Sequence, residues 1–238
     1  MDVIFQFFED LPMQGPGDDT VTKEILTSLS PGREALILDI GCGTGRQTRI
    51  LAEESRDARI IAVDLHIPYL QSLPDHPHLQ AIGASMDALP LKEKAVDLIW
   101  SEGAIYNIGF QAGLDAWKPL LKDGGSVVVS ELCWHEPDPP EDVRRFFEED
   151  CPGTGTEADR IRDAEDAGYT VLQTIRLPVR AWEAYYRPMP SRIELWRERE
   201  QNPDVLAFLD MMEQEIAIFR EYGSWYGYTF FVLAKKRE

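Results

Sequence analysis

Three glycines alternate with other residues in the stretch ILDIGCGTGRQT, which spans residues 37–48. They are Gly41, Gly43 and Gly45, and they directly follow an apolar run that contains one acid, Asp39. Glycine adopts backbone conformations that other residues avoid, and it costs chain entropy, so three glycines in one loop indicate that something approaches the backbone closely. We therefore expect a ligand at this loop.

The spacing and the charge of the loop restrict the class of ligand. A dinucleotide-binding loop has the pattern G-x-G-x-x-G, and Arg46 stands where that pattern needs its third glycine. The loop also lacks the G-K-[ST] ending of a phosphate-binding loop. Asp39, just ahead of the glycines, would repel a pyrophosphate and attract a cation. The pattern favours a nucleoside that carries a positive charge.

Segments typical of strands and helices alternate along the rest of the chain. This alternation predicts an α/β fold with a seven-stranded, mostly parallel sheet and helices on both faces. A turn at Asp123 and the two following glycines is predicted to lead into the fifth strand. The predicted strands are residues 35–40, 59–65, 79–84, 95–101, 125–131, 169–177 and 228–234.

Residues that follow the strands are the candidates for a site, because parallel α/β sheets bind ligands at the carboxyl ends of their strands. The segments concerned are residues 41–45, Asp64, residues 85–87, residues 102–109 and the stretch after Glu131. Several of these residues are polar or glycine, as a binding site requires.

The string LDIGCGTG resembles motif I of the class I S-adenosylmethionine-dependent methyltransferases. Asp64 resembles the acid that binds the ribose hydroxyls in that family, residues 85–87 resemble the segment that meets the adenine, and LKDGGSVVVSE resembles its fifth strand with the preceding turn. The resemblance implies a Rossmann-like fold and S-adenosyl-L-methionine as cofactor. The residues that it implies for cofactor binding are Asp39, Gly41, Cys42, Gly43, Gly45, Asp64, Leu65, Ser85, Met86, Asp87 and Glu102.

Physical chemistry supports these assignments, although each acid also has an ordinary alternative. A carboxylate such as Asp64 accepts charge-assisted hydrogen bonds from two hydroxyls. Asp87 can accept the adenine amino proton, and Asp39 suits the sulfonium end of the cofactor. The alternatives are a helix-capping role for Asp39, a strand-end turn for Asp64 and a solvated loop position for Asp87.

The stretch WSEGAIYNIGF, residues 100–110, follows the fourth strand and is the candidate catalytic segment. It resembles a subgroup of uncharacterised bacterial and archaeal methyltransferases with the same SEGAIYNIGF string. Glu102 can hold the cofactor's amino group, steer a cationic substrate or act as a base. Tyr106 and Asn107 can orient the substrate. The alternatives are that Glu102 caps the next helix and that Tyr106 only packs.

About 50 residues, 178–227, separate the last two predicted strands and are predicted to form a helical lid. Apolar residues at helical spacing over residues 205–219 predict an amphipathic helix. Aromatic residues in or near the lid would favour an amine acceptor through cation–π attraction, or they simply pack the lid onto the core. They are Trp134, Trp182, Tyr185, Tyr186, Trp225 and Tyr226. His135 is the best-placed histidine for a base, against the alternative of a solvated loop position.

We expect one domain over residues 1–238. Within it, residues 1–30 would be a mobile cover of the cofactor, residues 31–177 and 228–238 the core, and residues 178–227 the lid. Gln14 and the Gly-Pro-Gly that follows it indicate a turn at the mouth of the site.

The formal net charge of −18 argues against nucleic acid and anionic lipid as partners. Three widely spaced cysteines predict reduced thiols and no zinc site, and we expect no metal. Without a basic, apolar leader or an apolar run long enough to span a bilayer, a cytoplasmic location without membrane contact is expected. A homodimer is the commonest oligomer for such a chain.

The sequence thus predicts a methyltransferase that transfers a methyl group from S-adenosylmethionine to a small-molecule acceptor. One alternative is a non-catalytic protein that binds S-adenosylmethionine as a sensor or keeps the fold as a scaffold. A nicotinamide-dependent oxidoreductase is a second alternative, which the glycine spacing disfavours.

Overall fold

One sheet of eight strands forms the centre of the molecule within residues 2–237, which are the residues that the computed structural model describes. Met1 and Glu238, the two ends of the predicted domain, lie outside the described residues. The strands are β1 (Leu36–Ile40), β2 (Arg59–Asp64), β3 (Leu79–Gly83), β4 (Val96–Ser101), β5 (Leu121–Trp134), β6 (Gly155–Thr156), β7 (Tyr169–Arg176) and β8 (Tyr226–Lys235). Their order in the sheet is β3-β2-β1-β4-β5-β8-β7, and β6 pairs with the end of β5.

The direction of the strands confirms a mostly parallel sheet. Strands β1 to β5 pair in parallel with their neighbours. Strand β8 runs antiparallel to both β5 and β7, so β7 points the same way as the first five strands. The carboxyl end of β7 therefore lies at the same edge as the glycine loop, and the segment that follows β7 begins there.

Two features of the sheet differ from the seven predicted strands. The additional strand, β6, has only two residues and pairs with Cys133 and Trp134 of β5, so no periodic pattern marks it. Strand β5 also begins earlier than residue 125, because Leu121 pairs with Val96 while Ser126 pairs with Leu98. The predicted turn at residues 123–125 is thus a bulge within β5.

Helices cover both faces of the sheet, as predicted. They are α1 (Asp2–Phe8), α2 (Asp19–Leu29), α3 (Arg46–Glu54), α4 (Ile67–Leu70), α5 (Phe110–Trp117), α6 (Glu141–Asp150), α7 (Glu157–Asp166), α8 (Val179–Tyr186), α9 (Met189–Arg197) and α10 (Pro203–Tyr222), with 3-10 turns at Ile105–Asn107 and Lys118–Leu120. Alternate residues of β8 enter opposite cores: Phe230 and Val232 belong to one apolar cluster, Phe231 and Leu233 to the other. None of these helices combines the length and the apolar character needed to cross a bilayer.

The insertion between β7 and β8 is helical and consists of α8, α9 and α10. The amphipathic helix predicted over residues 205–219 lies within α10, which buries Val205, Leu209, Met212 and Ile216 at helical spacing. Of these, Leu209, Met212 and Ile216 belong to the apolar cluster on one face of the sheet. The insertion is therefore packed onto the core.

The amino-terminal helix α1 contacts this insertion. The Phe7 ring makes edge contacts with Trp196 of α9 and Phe208 of α10, at centroid distances of 5.4 and 5.2 Å. Arg192 of α9 donates a hydrogen bond to the Phe7 carbonyl oxygen at 3.1 Å. We call α1, α8, α9 and α10 together the roof. By contrast, α2 lies beside α3 and buries Ile25 and Leu26 in the core.

Strand β8 lies between β5 and β7 and is buried on both faces, which yields a stability prediction. Leu233→Ala removes a side chain with 0% exposure, and we expect a loss of about 2–5 kcal/mol in the free energy of unfolding from lost burial and the cavity left behind. Leu172→Ala in β7 is the matched control, because Leu172 is 56% exposed, and it should cost about 0.5 kcal/mol or less. Urea denaturation measures both. Equal losses would show that β8 is not a core strand.

Candidate functional site

A cavity of about 700 Å³ lies at the carboxyl ends of β1, β2 and β4, beneath the roof. Loops that follow the strands form one end of it, and residues of α6, α8, α10 and β8 form the other. The predicted site residues that line it are Gly41, Cys42, Gly43, Asp64, Leu65, Ser85, Met86, Glu102, Tyr106 and Asn107. The structure thus brings together most of the residues singled out in the sequence.

The glycine loop, residues 41–45, has a backbone conformation that favours glycine at each of its three alternate positions. The φ angles of Gly41, Gly43 and Gly45 are 70°, 55° and 88°. A Cβ atom on Gly41 would lie 2.4 Å from the Ala104 Cβ, and one on Gly45 would lie 2.5 Å from the Leu73 Cδ2. The loop is therefore compressed between the segments that follow β2 and β4, and it leads into α3.

Asp39 lies beneath the loop and outside the cavity lining. It has 0% exposure, and its carboxylate accepts hydrogen bonds from the Thr48 hydroxyl at 2.5 Å and the Gln47 amide at 3.2 Å. Burial raises the pKa of Asp39 to about 7, although the hydrogen bonds from Thr48 and Gln47 act in the opposite direction. These contacts give Asp39 the role of joining β1 to α3; its direct contact with a ligand stays a prediction.

Asp64 stands at the end of β2 and lines the cavity. Its two carboxylate oxygens accept hydrogen bonds from the backbone N–H groups of Gly43 and His66, both at 2.8 Å. Burial is the largest influence on its pKa and raises it above the ordinary value. A carboxylate has about four acceptor sites, so Asp64 keeps capacity for further donors.

The loop after β3 presents Ser85 and Met86 to the cavity. Trp117 of α5 donates a hydrogen bond from its indole nitrogen to the Met86 carbonyl oxygen at 2.8 Å and so fixes this loop. Asp87 is exposed, lies outside the lining and accepts the Ser85 hydroxyl at 2.6 Å. Its contact with an adenine ring stays a prediction. Cofactor binding by the exposed Leu65 also stays a prediction.

Glu102 takes part in a network that links three elements. Its Oε1 accepts hydrogen bonds from the Thr22 hydroxyl of α2 at 2.9 Å and from the Trp100 indole of β4 at 2.8 Å. Its Oε2 forms an ion pair with Arg46, the first residue of α3, and Arg46 also pairs with Asp19 at 2.7 Å. Glu102 therefore does not cap the helix that follows it.

Tyr106 and Asn107 lie in the turn after β4, at the mouth of the cavity. Tyr106 is 41% exposed, which argues against the alternative that it only packs. The Asn107 side chain donates to the Ala104 carbonyl oxygen at 2.9 Å and stabilises the turn. Both side chains can reach a molecule that enters the cavity.

The amino-terminal segment closes the cavity near the glycine loop. Gln14 accepts hydrogen bonds from the backbone N–H and the hydroxyl of Thr44 at 3.2 and 2.8 Å. The Phe5 ring stacks on His66 at a centroid distance of 4.3 Å. The sequence predicted a turn here but no contact for Gln14. It marked Arg46 only as a departure from the dinucleotide pattern and did not predict its ion pair.

Only some of the candidate aromatic residues of the lid reach the cavity. Trp182 and Tyr185 line it, whereas the described lining does not include Trp134, Tyr186, Trp225 or Tyr226. His135 also lies outside this lining, and its ring contacts the Thr229 hydroxyl at 3.2 Å. Burial lowers the pKa of His135 to about 4, so this histidine is neutral at neutral pH.

Comparison with known proteins finds similarity to methyltransferases. Residues 37–125 match the family described as "Methyltransferase domain". A structure from Geobacter sulfurreducens, a SAM-dependent methyltransferase in complex with S-adenosyl-L-homocysteine, matches 99% of this chain and 98% of that chain with a TM-score of 0.81. Residues 37–125 therefore carry the pattern of a methyltransferase domain. The sequence identity to the Geobacter protein is 15%, so that likeness concerns the fold.

Curated relatives of the chain are similar to it over parts of their length. Malonyl-[acyl-carrier protein] O-methyltransferase of Salmonella typhimurium is 33% identical over 118 residues, which cover 47% of this chain and 45% of the relative. Trans-aconitate 2-methyltransferase of Acidovorax sp. (strain JS42) is 27% identical over 199 residues, which cover 80% of this chain and 71% of the relative. The chain thus spans about half the length of the first relative that it matches.

The raised pKa of Asp39 predicts how the free energy of unfolding depends on pH. Because its pKa is raised from 3.8 in an exposed carboxyl to about 7 in the folded domain, it favours folding at low pH, and this contribution is lost as pH rises through about 7. Asp39→Asn does not titrate. The stability of wild type relative to this variant should fall from pH 5 to 7, by at most about 1.4 kcal/mol per pH unit, and then level off.

Urea denaturation at several pH values measures this difference. Glu131→Gln is the control, since burial raises the pKa of Glu131 to about 7 as well. This variant should lose the part of the pH dependence of stability that comes from Glu131 and keep the part that comes from Asp39. A constant difference between wild type and Asp39→Asn from pH 5 to 7 would contradict the raised pKa.

Proposed function

We propose that this protein is an S-adenosyl-L-methionine-dependent methyltransferase that acts on a small-molecule acceptor. The observation that carries the proposal is the glycine loop, whose three positive φ angles and tight contacts form a cradle beside the Asp64 carboxylate at a cavity. The match of residues 37–125 to a methyltransferase domain supports it. The cavity volume of about 700 Å³ leaves space for a nucleoside and a second molecule.

The residues present fit this cofactor. Asp64 keeps acceptor capacity for the ribose hydroxyls, and the loop at Ser85 and Met86, fixed by Trp117, would contact the adenine. The proposed cofactor-binding set is the one predicted from the sequence, namely Asp39, Gly41, Cys42, Gly43, Gly45, Asp64, Leu65, Ser85, Met86, Asp87 and Glu102. When bound, the cofactor supplies a methyl group on a sulfonium sulfur, which departs as a neutral thioether.

The protein's own contribution to such a transfer is alignment and exclusion of water. Phe8 of α1 and Trp182 of α8 belong to the roof, and both line the cavity. We propose that Tyr106 and Asn107 orient the acceptor. The three donors on Glu102 favour a positioning role for this residue over proton abstraction.

The alternative is a non-catalytic protein that binds S-adenosylmethionine as a sensor or scaffold. Such a protein would need no space for a second molecule beside the cofactor. This cavity, by contrast, extends past the glycine loop to Phe147, Glu215 and Tyr228. That extension favours an enzyme. A cytoplasmic location, a homodimer and the exclusion of nucleic acid remain proposals that rest on charge and composition.

Titration calorimetry with S-adenosylhomocysteine tests the cofactor. We expect micromolar binding to wild type and about tenfold weaker binding to Asp64→Asn, which loses charge-assisted acceptors. Asp57→Asn, which breaks an exposed ion pair with Arg33, is the control and should bind like wild type. Binding of NAD without binding of S-adenosylhomocysteine would overturn the proposal.

Glu102→Gln tests the positioning role. The variant leaves the buried guanidinium of Arg46 without its main partner, and we expect a loss of about 3 kcal/mol in the free energy of unfolding, with weaker S-adenosylhomocysteine binding. Glu54→Gln, which breaks an exposed pair with Lys23, should cost about 1 kcal/mol or less.

Turnover measurements distinguish the two roles of Glu102. A labelled methyl donor, incubated with metabolite pools, identifies an acceptor, and the pH profile of turnover is then compared between wild type and Glu102→Gln. A positioning residue leaves the shape of the profile unchanged. Unchanged stability and binding, combined with a lost acidic limb of the profile, would assign Glu102 as the base.

A further inference from the structure

One part of the cavity, which we call the inner chamber, is lined by elements other than the glycine loop. We define the inner chamber by Phe147, Trp182, Tyr185, Met212, Glu215 and Tyr228. These residues come from α6, α8, α10 and β8, none of which contributes to the glycine loop. The inner chamber therefore offers space for a second molecule beside a ligand at the glycine loop.

Aromatic rings dominate the walls of the inner chamber. The Trp182 ring lies 5.1 Å from that of Tyr228 with a tilt of 38°, and the Tyr185 ring stacks on Phe8 at 6.3 Å. Trp182, Tyr185 and Tyr228 are all largely buried. Faces of aromatic rings attract cations, and this attraction is stronger where water is excluded.

One carboxylate, that of Glu215, stands among these rings. Glu215 accepts a hydrogen bond from the Tyr186 hydroxyl at 2.6 Å. Burial, and next the charge of Glu215, raise the pKa of Tyr186 well above the ordinary value, so its hydroxyl stays protonated and donates. Tyr186 therefore holds the Glu215 carboxylate in place on the cavity side of α10.

The charges along the cavity disfavour a carboxylate as acceptor. Arg46 is the single basic side chain among the described residues that line the cavity, and it pairs with Glu102 and Asp19 at the glycine loop. The other charged lining residues, Asp64, Glu102 and Glu215, are acids. A carboxylate in the inner chamber would thus lack a cationic partner and would be repelled by Glu215.

We propose that the methyl acceptor is an organic amine on an aromatic or other apolar body, bound as its ammonium form by the aromatic rings of the inner chamber and by Glu215. This inference rests on the proposed function and names its substrate class. It separates this chain from relatives whose names specify malonyl-[acyl-carrier protein] and trans-aconitate, which are acids.

Methylation of such an amine balances with the release of one proton. The ammonium first loses a proton to Glu215 and through it to water, which frees the nitrogen lone pair. The nitrogen–carbon bond then forms as the sulfur–carbon bond breaks, and the electron pair of the broken bond stays on sulfur. The products are a methylammonium, a neutral thioether and the released proton.

Binding of simple probes to the full chain, saturated with S-adenosylhomocysteine, tests the substrate class without turnover. The probes are 2-phenylethylamine, 2-phenylethanol and 3-phenylpropionate, which share an aromatic body and differ in charge. We expect calorimetry and quenching of tryptophan fluorescence to rank the amine first, the alcohol about tenfold weaker and the carboxylate weakest. Tighter binding of the carboxylate or the alcohol than of the amine would overturn the inference.

The variant Glu215→Gln tests whether the Glu215 carboxylate supplies the negative charge that binds the ammonium group. The variant keeps the size of the side chain and should weaken binding of the amine about tenfold while leaving that of the alcohol unchanged. Glu213→Gln on the same helix is the matched control, because Glu213 is exposed and pairs with Arg197 at 2.9 Å. Equal amine affinity in wild type and Glu215→Gln would overturn the role of Glu215.

The design separates the two levels of the proposal. If S-adenosylhomocysteine binds and the amine does not, the substrate class is wrong and the proposed function stands. If S-adenosylhomocysteine does not bind to wild type, the proposed function fails and the inference fails with it. The comparison of the three probes uses wild type alone, so it does not depend on the folding of any variant.

Discussion

Arg46 and Glu102 form an ion pair that is largely shielded from water, with side-chain exposures of 15% and 4%. A shielded charge is tolerated only with a partner, so the first residue of α3 and the residue after β4 must stay together. Thr22 and Trp100 complete the hydrogen bonding of Glu102 and bring α2 and β4 to the same point. The shape of the cavity at the glycine loop depends on this network.

The enclosure of the cavity depends on the roof, which combines the amino-terminal helix α1 with the three helices that follow β7. Helix α1 packs on α9 and α10 through Phe7, and Arg180 of α8 pairs with Asp18 at 2.7 Å. A ligand in the cavity would be enclosed only while these distant segments stay in contact. In the proposed methyl transfer, exclusion of water and access of the acceptor would therefore depend on the same contacts.

Much of the fold was predictable because its patterns are local. The glycines, the seven predicted strand regions and the amphipathic helix in α10 each follow from residue types at short spacing. The strand β6 and the bulge at residues 123–125 were not predictable, because pairing with distant residues of β5 and β4 determines them. For the same reason Gln14 was recognised as part of a turn but not as a partner of Thr44.

The sequence by itself determined the cofactor class that the glycine loop favours, since loop spacing and the nearby acids are properties of short segments. Tertiary structure alone decided what the acids do: it buries Asp39 under α3, leaves Asp87 exposed, and pairs Glu102 with Arg46. It also decided that Phe147 and Tyr228, far apart in the chain, share one chamber. The physical reason is that burial and charge pairing depend on the packing of distant segments, and no local pattern records that packing.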